Sequence, residues 1–212
     1  MVRYYEEKTT FNFAWEQVAL AFWQKYPNPH SNHVLTEDTV QREVRDGKLY
    51  SKRLLSKTNR VPKWGERFYN AKSVKIVEES VCDPREQMLV TYTRNIAFTK
   101  IMSVTEKVVY CSSKDTPGST VAHRSAWIDS QVFGFSRAIS AFGLERFKKN
   151  CSKMSTGFNW VLHTLFPNPA HQDLHLLHPA TKAQKIKEAA RTASDHMKAQ
   201  AEHIYQVYSV KN

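Results

Sequence analysis

The sequence predicts an α+β domain in which an antiparallel curved sheet of about seven strands is gripped by helices, the long C-terminal one lying across its concave side. Three observations predict it. Runs rich in β-branched and aromatic residues recur between turn clusters from Val34 to Ile128, an Asp46-Gly47 pair joins two of them, and one apolar stripe at helical spacing runs from Leu144 to Leu165. A helix laid over a curled sheet can enclose a cavity instead of filling it.

The elements follow in order. A short first strand is expected near Val2 to Thr9. Phe11, Trp15, Val18 and Phe22 then recur at steps of four, three and four, one face of an amphipathic helix. Tyr26-Pro-Asn-Pro29 stops that helix, because proline lacks the N–H a helix interior requires. Val34 to Val44 and Leu49 to Lys57 read as a hairpin, since Asp46-Gly47 accepts the positive φ angles of a two-residue turn. Further strands are expected at Ser73 to Val81, Met88 to Ile96, Met102 to Cys111 and Thr120 to Ile128, parted by Asp83-Pro84 and Asp115-Thr-Pro-Gly118. Together they form an antiparallel meander.

Leu144, Phe147, Cys151, Met154, Phe158, Val161 and Leu165 alternate steps of three and four, which marks a single long helix. Beyond it the composition changes to a Pro- and His-containing linker over 166–180, then to an Ala- and Lys-rich segment over 181–212 with a thin apolar face, read as a helical tail. The expected organisation is a domain over 1–165 followed by these two pieces.

Composition narrows the function classes. Lys and Arg number 31 against 20 Asp and Glu, a net charge of +11, which favours anionic partners. The segment after Leu165 holds six of the basic and four of the acidic residues, so most of the excess belongs to the folded part. Cys82, Cys111 and Cys151 have neither zinc-site nor disulfide-framework spacing and are expected to be buried thiols. No run approaches the ~20 apolar residues that span a bilayer, and MVRYYEEKTTF has neither a secretory apolar core nor a transit-peptide composition, so no cleavable address is expected.

Enzyme motifs such as G-x-S-x-G, the P-loop, G-x-G-x-x-G and H-E-x-x-H do not occur. His171, His175 and His178, with His163, have possible metal spacing but lack cysteine or acidic co-ligands, and no metal or cofactor is expected. Glu78, Glu79 and Glu86 alternate on strand faces and are expected to be solvated. The basic groups Lys52, Arg53, Lys57 and Arg60, with Arg146, Lys149 and Lys153, lie on elements that should converge. They make either a solvated face or the footprint of a polyanion site, and no helix-turn-helix, zinc-finger, RNP or KH signature points to nucleic acid. From composition and spacing alone the chain is a basic α+β binding module.

Longer motifs say more. Tyr26-Pro-Asn-Pro-His-Ser-Asn-His33-Val-Leu-Thr36, Lys52-Arg-Leu-Leu-Ser-Lys-Thr-Asn-Arg60, Pro62-Lys-Trp64, Tyr92-Thr-Arg-Asn95 and Phe142-Gly-Leu-Glu-Arg-Phe147 occur in order and closely resemble the PRELI family of lipid-transfer proteins. The resemblance runs from Met1 to about Leu165. It implies a helix-grip fold of the START/PITP kind around a hydrophobic lipid pocket, and a non-enzymatic carrier in the mitochondrial intermembrane space. The branch this chain looks most like moves phosphatidic acid from the outer to the inner membrane in support of cardiolipin synthesis; a sister branch carries phosphatidylserine. The implied partners are a small helical twin-cysteine-motif protein and, transiently, anionic membranes. The implied headgroup residues fall on Lys25, His33, Lys57, Arg60, Arg146 and Lys153, and a lid loop with Val61, Pro62 and the apolar tip Trp64 falls between Val61 and Asn70.

Overall fold

The computed structural model describes residues 2–59, 63, 66 and 72–167. Arg60, Val61, Pro62, Trp64, the expected 181–212 tail and nearly all of the expected linker lie outside the described residues. Within the compact unit Met1–Phe166 the elements are β1 (Arg3–Phe11), α1 (Trp15–Phe22), β2 (Val34–Arg45), β3 (Lys48–Thr58), β4 (Ser73–Asp83), β5 (Met88–Asn95), β6 (Ser103–Ser112), β7 (Thr120–Asp129) and α2 (Ser136–Leu165).

The strands form one seven-stranded antiparallel sheet in the order β1-β7-β6-β5-β4-β3-β2. From β2 to β7 each strand pairs with the next in sequence, as the turn clusters predict, and β1 returns to the far edge beside β7 with Phe11 opposite Thr120. The β2–β3 turn has φ 54° at Asp46 and 76° at Gly47, the doubly positive geometry that lets two strands join without splaying.

Two boundaries differ from the sequence reading by more than two residues, the starts of α1 and α2. Phe11 ends β1 instead of opening the helix, because its ring packs inward at 5.3 Å from that of Phe158. α2 begins at Ser136, eight residues before its apolar stripe: its first buried positions are Ile139, Ser140 and Gly143, and a single large apolar residue among them carries little hydrophobic periodicity. Gly143 is required there, since a Cβ would sit 2.6 Å from Met102 Sδ and 2.9 Å from Ile128 Cγ2. At Gly157 a Cβ would meet Asn28 Oδ1 at 2.5 Å.

The alternation of strand side chains divides the concave face into bands. At one end Leu49, Cys82, Leu89, Tyr110 and Ala122 lie side by side in register, and the buried faces of α1 and of the last turns of α2 (Val18, Phe22, Phe158, Leu162) close over them into the hydrophobic core. Trp15 of α1 is anchored there by Nε1–H donating to Tyr110 O at 3.2 Å. At the other end, where β3 and β5 finish and β4 and β6 begin, the interior is hollow.

Candidate functional site

The hollow end encloses a cavity of about 1060 Å³ between the sheet and the first half of α2. That is at or beyond the upper end of the ~300–1,000 Å³ usual for small-ligand pockets, so it suits a bulky ligand. Val74, Ile76 and Val104 of the sheet and Ile139, Phe142 and Met154 of α2 give it apolar walls.

Four of the six headgroup residues that the resemblance implies come together on this cavity, and Lys149, singled out for its charge, lines it as well. His33 just ahead of β2, Lys57 at the end of β3, and Arg146 and Lys153 on α2 all line it. Arg146 Nη1–H donates to Asn59 Oδ1 at 3.1 Å, which ties α2 to the exit of β3. His33 senses the other three electrostatically. His33 has its pKa lowered, first by partial burial and then by the positive charges of Lys57, Lys153 and Arg146. The site is therefore a preassembled positive potential, whose cost an anion would relieve.

Lys25 is placed differently from the other four. It is buried, it is not among the cavity-lining residues, and its Nζ donates to Glu78 Oε2 at 2.7 Å while resting 4.1 Å from the centre of the Phe22 ring. Burial lowers its pKa to about 8, with Glu78 opposing that shift and Arg53 and Lys57 adding to it. Glu78 itself corrects an expectation: it is only 5% exposed, not solvated. Burial pushes its carboxyl up, but Lys25 and Arg53 outweigh this and hold it down at about 2. Arg53, 1% exposed, donates Nε–H to Glu78 Oε1 at 2.8 Å and also bonds Glu37 through Nη1.

A second buried cluster escaped the sequence reading. Arg124 of β7 donates through Nη1 to Glu7 of β1 and through Nε to Glu106 of β6, each at 2.7 Å. Glu106 and Cys151 line the cavity. The Cys151 thiol is pushed up to about 12, chiefly by burial, with Arg124 opposing and Glu106 and Glu7 adding, so it stays protonated at neutral pH. Cross-strand pairs Arg53–Glu78 and Glu7–Arg124 thus make a belt of compensated charge between the packed and hollow ends. One signal was available: Arg53 shares strand parity with Leu55, and Glu78 with Cys82, both inward-facing.

His163 closes the last turn of α2 with its ring 5.0 Å from that of Phe13. His171, His175 and His178 lie outside the described residues.

Comparison with known proteins agrees with this architecture. The PRELI-like family matches residues 16–168. PRELI domain-containing protein 1, mitochondrial, of Mus musculus is 49% identical over 169 residues, covering 78% of this chain and 78% of that protein. Protein UPS1, mitochondrial, of Saccharomyces cerevisiae is 31% identical over 167 residues, covering 78% of this chain and 95% of the yeast protein. A Thermus thermophilus crystal structure superposes with a TM-score of 0.53 at 11% identity, covering 77% of this chain and 99% of its own, and shows the same helix-grip fold. The chain belongs to the PRELI-like family.

Proposed function

We propose that this protein is a non-enzymatic phospholipid carrier that shuttles phosphatidic acid from the outer to the inner mitochondrial membrane and so feeds cardiolipin synthesis. One observation carries the reading: the cavity of about 1060 Å³ joins apolar walls to the convergent basic set His33, Lys57, Arg146 and Lys153. If each methylene takes up roughly the ~30 Å³ of a water molecule, that volume is on the scale of two acyl chains. Relatives named as mitochondrial proteins support a mitochondrial location, and the intermembrane space is the compartment between the two membranes served.

Burying some thirty methylenes at about 0.8 kcal/mol each would be a large term, but a bilayer offers nearly the same term. Exchange is then close to isoenergetic and reversible. The basic set compensates a phosphomonoester of charge about −1 to −2 through charge-assisted hydrogen bonds. Lys25, bound to Glu78, acts behind this first contact set; Arg60 and the lid residues Val61, Pro62 and Trp64 complete the site in this reading, with a small helical twin-cysteine-motif protein as stabilising partner. Phosphatidylserine is the second reading, favoured by the exposed Glu145 carboxylate in the lining, which would exchange Lys148 for the lipid's ammonium group, whereas Glu106 is already paired with Arg124.

The deciding experiment measures transfer of fluorescent phosphatidic acid, phosphatidylserine and phosphatidylcholine between donor and acceptor liposomes. Selective phosphatidic acid transfer is expected. Selective phosphatidylserine transfer would replace the cargo, and no transfer of any lipid by well-folded protein would overturn the carrier reading.

A further inference from the structure

Phe133 is 100% exposed, and such exposure carries meaning where other exposed apolar residues adjoin it. It stands in the turn between β7 and α2, followed by Gly134 at φ 74°. This turn is bonded to the β5–β6 loop through Gln131 N–H donating to Lys100 O at 2.9 Å. That loop is braced from inside: Asn95 Nδ2 donates to Ala97 O at 2.8 Å and Met102 O at 2.9 Å, and Asn95 Oδ1 accepts Val104 N–H at 2.8 Å. Phe98 is held there at φ 60°, a strained conformation for a residue with a side chain.

The loop carries Ile96, 48% exposed, and Phe98, 47% exposed, and Phe98 also lines the cavity. One side chain thus faces both solvent and the hollow interior, which puts the apolar prominence at the cavity's own boundary. Around it stand the exposed cations Lys100 and Arg137, and neither 96–102 nor 130–138 contains an Asp or Glu; Arg94, at the end of β5, lies 4.0 Å from Glu79.

We infer that these two joined turns are a docking surface for an anionic phospholipid bilayer, with Phe133 entering the interface and Lys100 and its neighbours meeting the headgroups. The inference rests on the carrier reading. Apolar side chains in the interfacial region with cations beside them suit an anionic membrane, and a lipid leaving a bilayer for the cavity needs a water-excluding path at that boundary.

The test is co-sedimentation of the full chain with vesicles of phosphatidylcholine, with and without phosphatidylglycerol, for wild type, Phe133→Asp, Phe133→Leu and Lys100→Glu. Phe133→Asp is expected to lower partitioning roughly tenfold to a hundredfold, the scale of a lost buried aromatic side chain, with an unchanged melting temperature. Phe133→Leu should largely restore it. Lys100→Glu should weaken binding to anionic vesicles alone, and less so in high salt. Wild-type partitioning by Phe133→Asp overturns the docking surface. So does unchanged vesicle binding with loss of a co-purifying small helical protein, which would assign the turns to a protein partner. A chain that binds vesicles through Phe133 yet transfers no lipid would overturn the carrier reading and leave the docking surface standing.

Discussion

Glu78→Gln keeps the shape of a buried side chain and removes one charge from the belt between the two ends of the domain. Arg53 retains Glu37, but Lys25 loses the carboxylate that holds its Nζ at 2.7 Å. Breaking one partner out of a buried pair costs about 3–5 kcal/mol. At about 2–4 °C per kcal/mol for a domain of this size, the melting temperature should fall by roughly 6–20 °C. The pH dependence gives a sharper signature. Glu78 is held at about 2 against an ordinary 4.5, so its stabilisation is complete above 4.5 and is lost as pH falls from there through about 2; the full term is on the order of 3 kcal/mol. The gap between wild type and variant should therefore narrow in acid. Lys25 adds a slope of the same direction at alkaline pH: with its pKa lowered from 10.5 to about 8, wild-type stability gains as pH rises between those values. Thermal unfolding of the full chain, followed by circular dichroism across that range, tests the argument, and Lys25→Met in the Glu78→Gln background should recover part of the loss. A neutral-pH difference below about 2 °C, or a gap that stays constant in acid, would refute the account of the belt.

Lys57→Glu and Lys153→Glu should each cut lipid transfer roughly tenfold or more, the scale of a lost charge-assisted hydrogen bond, with little change in melting temperature; undiminished transfer would remove these residues from the headgroup site. The His33 imidazole, followed by NMR, should titrate below its ordinary 6.5 in lipid-free protein and move upward when phosphatidic acid binds. Because its folded-state pKa is lowered, His33 should contribute a decline in lipid-free stability as pH falls below 6.5, and His33→Asn should lack that contribution. Gly157→Ala, whose Cβ would press on Asn28 Oδ1, should cost about 1–3 kcal/mol in scanning calorimetry, and wild-type melting would mean the 26–30 segment yields freely.

The sheet was legible because its signals are local. Asp46-Gly47 announces the hairpin, and the Asp83-Pro84 and Thr116–Gly118 clusters part successive strands that pair with their neighbours. β1 was read as a strand, but its end was misplaced: its partner, β7, lies more than a hundred residues away, so Phe11 could pass for the start of a helix. The first two turns of α2 escaped because beside Ile139 they bury only a serine and a glycine, and Gly143 is there for close approach to Met102 and Ile128. At the cavity, Lys57, Arg146 and Lys153 were already candidates as basic groups on converging elements, while His33 came only with the family resemblance, since nothing local shows which of these groups face inward. The charged belt was missed because Arg53 meets Glu78 across a connection of fourteen residues, 59–72, too long to set the β3–β4 register from sequence.

Among the described residues, no member of the hydrophobic core cluster also lines the cavity. The domain separates its labour: one end secures the fold, and the other is left unfilled for cargo. Substitutions in the hollow end can therefore alter what is carried while leaving intact the contacts that make the chain fold. In such an arrangement cargo preference can drift between lineages without renegotiating stability, and selection can act on selectivity and folding as nearly separate traits.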